Sequence, residues 1–206
     1  MSLSNFTELQ TEIANFLNRD DLTSAIPSFV RLAEAKMNRD IRHWRMEKRA
    51  TANLNTQYTA LPNDFVAPIR FTLNTSTTKV LELAGTNEIS KLRADAGNTL
   101  GEPAFYALID GAIEAFPSPD ASYTLEFLYY GSIDALNSGN PTNWVLTNYP
   151  DVYLYGTLLH SAPYLMDDAR IQVWGAYYAS SIESLNQENE TAKTGGSGRR
   201  MHIRSY

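Results

Sequence analysis

The dipeptide Asp110-Gly111 constrains the fold of this chain more than any other local feature. β-prone runs flank it directly, at 104–109 and 112–116. Asp-Gly between two such runs is the strongest short-range signal for a hairpin, because both central residues of a type I′ turn need a positive φ. A third apolar run, 122–130, follows after a Pro-Ser-Pro break. Together the three runs predict a small antiparallel meander.

Apolar residues recur at helical spacing on both sides of this region, near 4–46 and near 150–192. Such a period indicates amphipathic helices that pack on one another. We therefore predict an α+β fold. A helical bundle of two N-terminal and two C-terminal long helices carries an inserted small antiparallel β-rich region and an extended C-terminal arm. Trp44 and Trp174 lie on apolar stripes, so we expect them to be buried together in the bundle.

The change of period sets the expected domain organisation. Residues 1–193 form a single domain, with the helical bundle from 1–47 and 148–193 and the β-rich insertion at 48–147. Residues 194–206 form a flexible C-terminal arm, because a Gly-rich stretch precedes a short basic segment in which apolar residues alternate. Such a short segment cannot build a core, so we expect it to find its partner in another molecule.

Composition excludes several classes of chemistry. The chain has no cysteine, which excludes disulfides, thiol catalysis and cysteine-based zinc sites. Its three histidines are scattered, so we expect no metal and no cofactor. No apolar run is long enough to span a bilayer, and the N-terminus lacks the pattern of a signal peptide. We expect a cytoplasm-like compartment and no membrane association.

The charge of the chain is negative overall and uneven. A net charge of −6 argues against a dedicated nucleic-acid binder, whose footprint is usually basic. Basic residues nevertheless concentrate between Arg31 and Arg49. This stripe is interpreted as a solvated helix face or a charged subunit interface, with DNA contact as a further alternative. The candidate interface residues are Arg31, Arg39, Arg42 and Arg45.

The motifs of common enzymes are absent from the sequence. It contains no Gly-x-Ser-x-Gly, no His-Glu-x-x-His, no phosphate-binding glycine loop and no dinucleotide fingerprint. His160 and Ser161 do not suggest a triad, because neighbours in a helix do not face one another. Three tryptophans and twelve tyrosines could form a sugar-binding platform, but a core or a subunit interface explains them better. We predict no catalytic residues.

Several short motifs together cover nearly the whole chain. They are Ile26-Pro27-x-Phe29-x-Arg31-Leu32-Ala33-Glu34-Ala35 with Asn38-Arg39, Leu61-Pro62-x-Asp64-Phe65, Gly101-x-Pro103 with Tyr106 and Gly111, Phe116-Pro117-x-Pro119, Tyr129-Tyr130, Asn143-Trp144, Pro150-Asp151-x-Tyr153-x-Tyr155-Gly156, and Tyr164-Leu165-x-Asp167-Asp168-x-Arg170 with Trp174. In their order and spacing, these motifs resemble those of phage head-to-tail adaptor (connector) proteins of the virion neck.

The resemblance implies a structural role in the virion, after assembly in the host cytoplasm. Members assemble as a ring, usually of twelve copies, under the portal protein. They extend the channel used in genome packaging and ejection, through which DNA passes without specific binding, and provide the platform for a downstream tail, nozzle or stopper protein. The C-terminal arm is the expected portal-binding segment, formed by Arg199, Arg200, Met201, His202, Ile203, Arg204, Ser205 and Tyr206.

One alternative comes from another functional class. A virion-associated cell-wall hydrolase, or a carbohydrate-binding module, could be built on the β-rich region. No convergent carboxylates and no metal-ligand set in the sequence favour this reading.

Overall fold

The structure is a computed structural model that describes residues 3–19, 21–165 and 170–194. Contacts divide the described residues into two compact units, one from the ranges up to 45 and from 133 onward, and one of residues 46–132. Within the described residues, six α-helices are present: α1 (Phe6–Leu17), α2 (Ile26–Asp40), α3 (Thr86–Ala96), α4 (Trp144–Asn148), α5 (Pro150–Leu165) and α6 (Ile171–Thr194).

Seven strands occur in the described part of the chain, and all of them lie in the second unit. They are β1 (Glu47–Leu54), β2 (Tyr58–Ala60), β3 (Phe65–Asn74), β4 (Thr78–Leu83), β5 (Phe105–Ile109), β6 (Ala112–Phe116) and β7 (Tyr123–Gly131). A short 3₁₀ helix, Trp44–Met46, precedes β1.

In the helical unit, α5 is the central element and packs against α1, α2, α4 and α6. It is buried on most sides, as expected of a helix that is apolar all round. Where α5 approaches α2 and α6 it carries Gly156. A Cβ at this position would lie 3.1 Å from the ring of Tyr178 and 3.3 Å from the methyl of Met37. The glycine therefore permits a close three-helix approach.

Two helix starts follow from their capping residues. The side chain of Asn5 accepts a hydrogen bond from the Glu8 amide at the start of α1. Asn143 does the same for Leu146 at the start of α4. Such caps satisfy amides that have no partner within the first turn.

The second unit is a mixed sheet with the strand order β1-β7-β3-β4-β5-β6-β2. All neighbouring pairs are antiparallel except β4 and β5, which run parallel because α3 crosses between them. The outer strands β1 and β2 are consecutive along the chain and contact each other, so the sheet is nearly closed. Its inner face holds an apolar core that includes Phe71, Leu125 and Phe127.

The predicted Asp-Gly hairpin is confirmed. β5 and β6 pair antiparallel with Ile109 opposite Ala112, and the two linking residues, Asp110 and Gly111, have φ values of 45° and 70°. The predicted three-strand meander is wrong, because β7 does not pair with β6. It pairs instead with β1 and β3. Pro117 follows β6 directly, and without an N–H it cannot extend the ladder.

The predicted fold class is wrong in its proportions. We expected a helical bundle with a small antiparallel β insertion, whereas the strands form a substantial seven-stranded mixed sheet with its own core. In the longest strand, β3, the alternating pattern is interrupted for a physical reason. β3 contains Pro68, and its pairing with β7 shifts register between Phe65 and Ala67 and again between Pro68 and Arg70. A bulged strand loses the clean alternation on which the prediction relied.

The expected joint burial of Trp44 and Trp174 is also wrong. Trp174 is 5% exposed, whereas Trp44 is 45% exposed. Helix α2 ends at Asp40, and Ile41 is extended, so Trp44 lies beyond the helix whose stripe it was expected to continue. Among the described residues, no helix has both the length and the apolar character needed to cross a membrane.

Candidate functional site

A buried polar network joins three separate segments of the helical unit. The Glu34 carboxylate, on α2, accepts hydrogen bonds from the Leu136 amide at 2.7 Å and from the Tyr153 hydroxyl at 3.1 Å. Asn143 donates to the Tyr153 oxygen at 2.6 Å and to the carbonyl of Asp134 at 2.7 Å. The network thus fixes α5 and the chain before α4 against α2.

Burial shapes the electrostatics of this network. Glu34 is only 5% exposed, and its burial raises the pKa of its carboxyl, although the hydrogen bonds from Leu136 and Tyr153 oppose the shift. Burial likewise raises the pKa of the Tyr153 phenol, and the neighbouring Glu34 charge adds to it. A carboxyl and a phenol held this way can specify packing through their hydrogen bonds.

Several motifs of the sequence resemblance meet here. Glu34, Asn143 and Tyr153 belong to three of the motifs, and Asn38 of the first motif accepts a hydrogen bond from the Ile133 amide at 2.8 Å. Residues of these motifs therefore determine how the segments of the helical unit pack against one another.

A second motif residue, Asp64, holds one end of the sheet unit. Its carboxylate accepts hydrogen bonds from the Lys48 ammonium and the Tyr129 hydroxyl, each at 2.8 Å. Burial alone would raise the pKa of Asp64, but these two hydrogen bonds and the Lys48 charge outweigh it and leave the pKa below its ordinary value. Burial and the bond to Asp64 raise the pKa of Tyr129 to about 12.

The four arginines predicted at a subunit interface are not equivalent. Arg31 and Arg39 are exposed on α2. Arg42 is partly buried and donates to the carbonyls of Asn38 and Ile41, at 2.8 and 2.6 Å, which satisfies carbonyls at the end of α2. Arg45 is exposed, and its guanidinium lies 5.1 Å from the centre of the Trp44 ring.

The predicted portal-binding residues 199–206 lie outside the described residues. Within the described part of the chain, no group of three His, Asp or Glu side chains could hold a metal ion.

Two pockets could have supported other functions. An open groove of about 1020 Å³ lies between α2 and α6, and we call it the α2–α6 groove. Its lining consists of Lys36, Asp40, Leu159, Gly175, Tyr178, Ala179, Ile182, Glu183, Asn186, Gln187, Glu190 and Thr191.

A smaller pocket of about 500 Å³ lies in the sheet unit beside Glu114. That carboxylate accepts hydrogen bonds from Arg93 at 3.1 Å and from Gln57 at 2.8 Å. Glycoside hydrolysis commonly needs two carboxyl groups that face each other across the bond. Glu114 is the one carboxylate among the described residues that line this pocket, so its geometry does not support the alternative of a hydrolase.

These features define a class of protein. A buried polar network fixes helix packing, and the aromatic side chain of Trp44 and the cationic side chain of Arg45 are exposed in the same unit, as expected of a structural protein that acts by contacting other proteins. A family model described as SU10 adaptor protein matches residues 4–201. The chain therefore belongs to this family of phage head-to-tail adaptor proteins. Its role is that of a structural adaptor in the virion neck, in contact with portal and tail components.

A search of curated proteins found no match to the chain.

Sequence reasoning missed the α2–α6 groove and the Glu34 network. The groove combines residues from α2 and α6 that are far apart in sequence, and no local pattern predicts that they face one another. Glu34 and Tyr153 both occur in the motifs of the family resemblance, which is the one sequence signal of this network. That the two side chains contact each other depends on tertiary packing.

Proposed function

We propose that this adaptor forms a ring, of about twelve copies, beneath the portal protein. The ring extends the channel used in genome packaging and ejection and provides the surface for a downstream tail, nozzle or stopper protein. The observation that carries the proposal is the match to the adaptor family over residues 4–201. In this proposal residues 1–193 act as one domain and residues 194–206 as the arm.

The contact between neighbouring copies is proposed to involve the basic side of α2 and the chain that follows it. Arg31 and Arg39 are exposed there, and Trp44 and Arg45 present a large aromatic surface with a cation beside it. Tryptophan and arginine are the residues most enriched among energetically dominant interface positions. Arg42 contributes by holding the end of α2, through its bonds to two carbonyls.

The contact with the portal is proposed to be made by residues 199–206. Three arginines in this segment provide long-range attraction, and Met201, Ile203 and Tyr206 provide apolar anchors. Deletion of residues 195–206 should leave a folded subunit that no longer binds portal rings. Binding is measured by co-sedimentation with purified portal and by electron microscopy of the product. A truncated subunit that decorates portal rings like the full chain would contradict this assignment.

DNA is proposed to pass the ring without being retained. A net charge of −6, repeated around a ring, favours a lumen that repels phosphate. Protein–phosphate contacts weaken steeply as salt rises, because counterions are released on binding. In a gel shift with random duplex at near-physiological salt, free subunit should give no complex. A tight complex that dissociates as the salt concentration rises would contradict this and place the basic residues of 31–49 in the lumen.

A further inference from the structure

The α2–α6 groove is preformed and has two kinds of lining. Its floor is apolar and includes Leu159, Tyr178 and Ile182. Its lining carries the carboxylates of Asp40, Glu183 and Glu190 against the one ammonium of Lys36. That ammonium lies 2.9 Å from Asp40. Among the described residues the groove is therefore an apolar trough with an acidic edge.

The groove floor is held in place. Tyr178 is buried, and its hydroxyl donates to Asp40 at 3.1 Å. Asn186 donates to the carbonyl of Asp40 at 3.5 Å, and Lys36 lies 5.4 Å from the centre of the Tyr178 ring. These contacts connect the end of α2 to α6. A segment that enters it meets a surface that needs little rearrangement, which reduces the cost of binding.

The chain itself leads to this groove. Thr191 lines the groove, and α6 ends three residues later at Thr194. The sequence then continues with three glycines and a serine at 195–198, which permit the chain to reverse direction. After them comes the segment 199–206, which is basic and partly apolar. Its charge is thus opposite to that of the groove edge.

The length of that segment matches the groove. The α6 residues that line the groove run from Gly175 to Thr191, a rise of roughly 24 Å at 1.5 Å per residue. Eight residues in an extended conformation span about 26 Å. Extended chain also directs alternate side chains to opposite sides. Met201 and Ile203 would then share one side, with Arg200 and Arg204 on the other.

We propose that residues 199–206 fold back along the α2–α6 groove of their own subunit, antiparallel to α6. Met201 and Ile203 contact the apolar floor, and the arginines lie along the edge that carries Glu183 and Asp40. Docking of the arm is a property of the free subunit. Only its consequence, that portal must compete with the groove for the arm, rests on the proposed function.

Engineered cysteines test this docking in the full chain, which has none of its own. The test variant carries Ala179→Cys and Ser205→Cys, because antiparallel docking brings these positions together. The matched control carries Ser184→Cys and Ser205→Cys. Ser184 is exposed on the same helix but is not part of the groove lining. We expect an intramolecular disulfide to form at least tenfold faster in the test variant, at a rate independent of protein concentration.

Charge reversal in the test variant provides a second measurement. Glu183→Lys should slow disulfide formation several-fold, and raising the salt concentration should slow it in the parent. Glu12→Lys makes the same change in net charge on α1, outside the groove lining, and should leave the rate unchanged.

Two results would overturn the proposal. Equal rates in the test and control pairs would mean that the arm does not occupy the groove. Disulfide-linked dimers that increase with concentration would assign the groove to the arm of a second copy. Because no portal is present, a failure here leaves the portal contact intact, and a failure of portal binding leaves this result intact.

Discussion

The Tyr153 hydroxyl donates a hydrogen bond to the Glu34 carboxylate over 3.1 Å, although 119 residues separate the two in sequence. The same carboxylate oxygen accepts the Leu136 amide. A single buried group thus sets the position of α5 and of the chain before α4 relative to α2. We infer that the Glu34 carboxyl serves to hold these segments together. Substitutions of Glu34 should separate the contribution of its hydrogen bonds to stability from the contribution of its charge.

Glu34→Ala and Glu34→Gln should differ sharply. Alanine leaves the Leu136 amide and the Tyr153 hydroxyl buried without their acceptor, which should lower the free energy of unfolding by about 3 kcal/mol. Glutamine keeps an acceptor oxygen and should stay within about 1 kcal/mol of wild type. Urea denaturation followed by tryptophan fluorescence measures both. Equal losses for the two variants would show that charge, and not the hydrogen bonds, matters at this position.

The same residue gives a pH dependence of known sign. Burial raises the pKa of Glu34 in the folded state above its ordinary value of 4.5. The folded state therefore binds more protons between these two values. The stability contributed by protonated Glu34 is fully present below pH 4.5 and is lost as the pH rises through the folded-state pKa. Glu34→Gln should gain in stability relative to wild type from pH 4.5 to 7. A constant difference across this range would contradict the raised pKa.

Alanine substitution at two helical glycines should change the free energy of unfolding in opposite directions. At Gly156 the new Cβ would lie 3.1 Å from the Tyr178 ring, which its bond to Asp40 holds in place. At Gly175 the nearest group, the Leu159 methyl, lies at an ordinary 3.8 Å. Crowding at the first position should exceed the gain in helix propensity and cost about 1 kcal/mol.

Gly175→Ala serves as the control, since it should gain up to about 1 kcal/mol from helix propensity alone. Thermal unfolding of both variants decides the comparison. Stabilisation by Gly156→Ala would show that the three helices do not approach one another as closely as described.

Asp64 should stabilise the sheet unit in a way that acid removes. Its pKa is lowered in the folded state, so its contribution is present above the ordinary value of 3.8 and is lost as the pH falls through the lowered value. Asp64→Asn should cost about 1 kcal/mol at pH 7, because the Lys48 pair is partly exposed to solvent. The cost should be smaller at pH 3 than at pH 7, because Asp64 loses its stabilising charge as the pH falls. Asp95→Asn, an exposed aspartate on α3, should show no cost at either pH.

Local features of the fold were predictable from the sequence. The Asp110-Gly111 hairpin could be predicted because a type I′ turn depends on two adjacent residues with positive φ. The start of α1 is equally local, because the Asn5 side chain caps the helix within one turn. Each of these features is decided by residues close together in the chain.

Non-local features were not predictable. The pairing of β7 with β1 and β3 joins residues that are 50 or more positions apart in sequence, and turn chemistry does not specify it. For the candidate site, residue type led to the prediction of four interface arginines on α2 and just after it. It did not show that Arg42 bonds the carbonyls at the end of α2 while Arg45 lies beside Trp44. Both arginine contacts depend on where α2 ends, at Asp40.

The two tryptophans of the helical unit should separate folding from assembly. Trp174 is buried and fills part of the core, so Trp174→Ala should create a cavity and cost about 3–5 kcal/mol. Trp44 is 45% exposed, so Trp44→Ala should cost about 1 kcal/mol or less in the isolated subunit. If Trp44 lies in the proposed subunit interface, its removal should weaken ring formation on portal at least tenfold. Denaturation measures the first effect, and sedimentation of adaptor–portal mixtures measures the second. A Trp44→Ala subunit that assembles like wild type would exclude this side chain from the interface, while Trp174→Ala remains the control for lost folding.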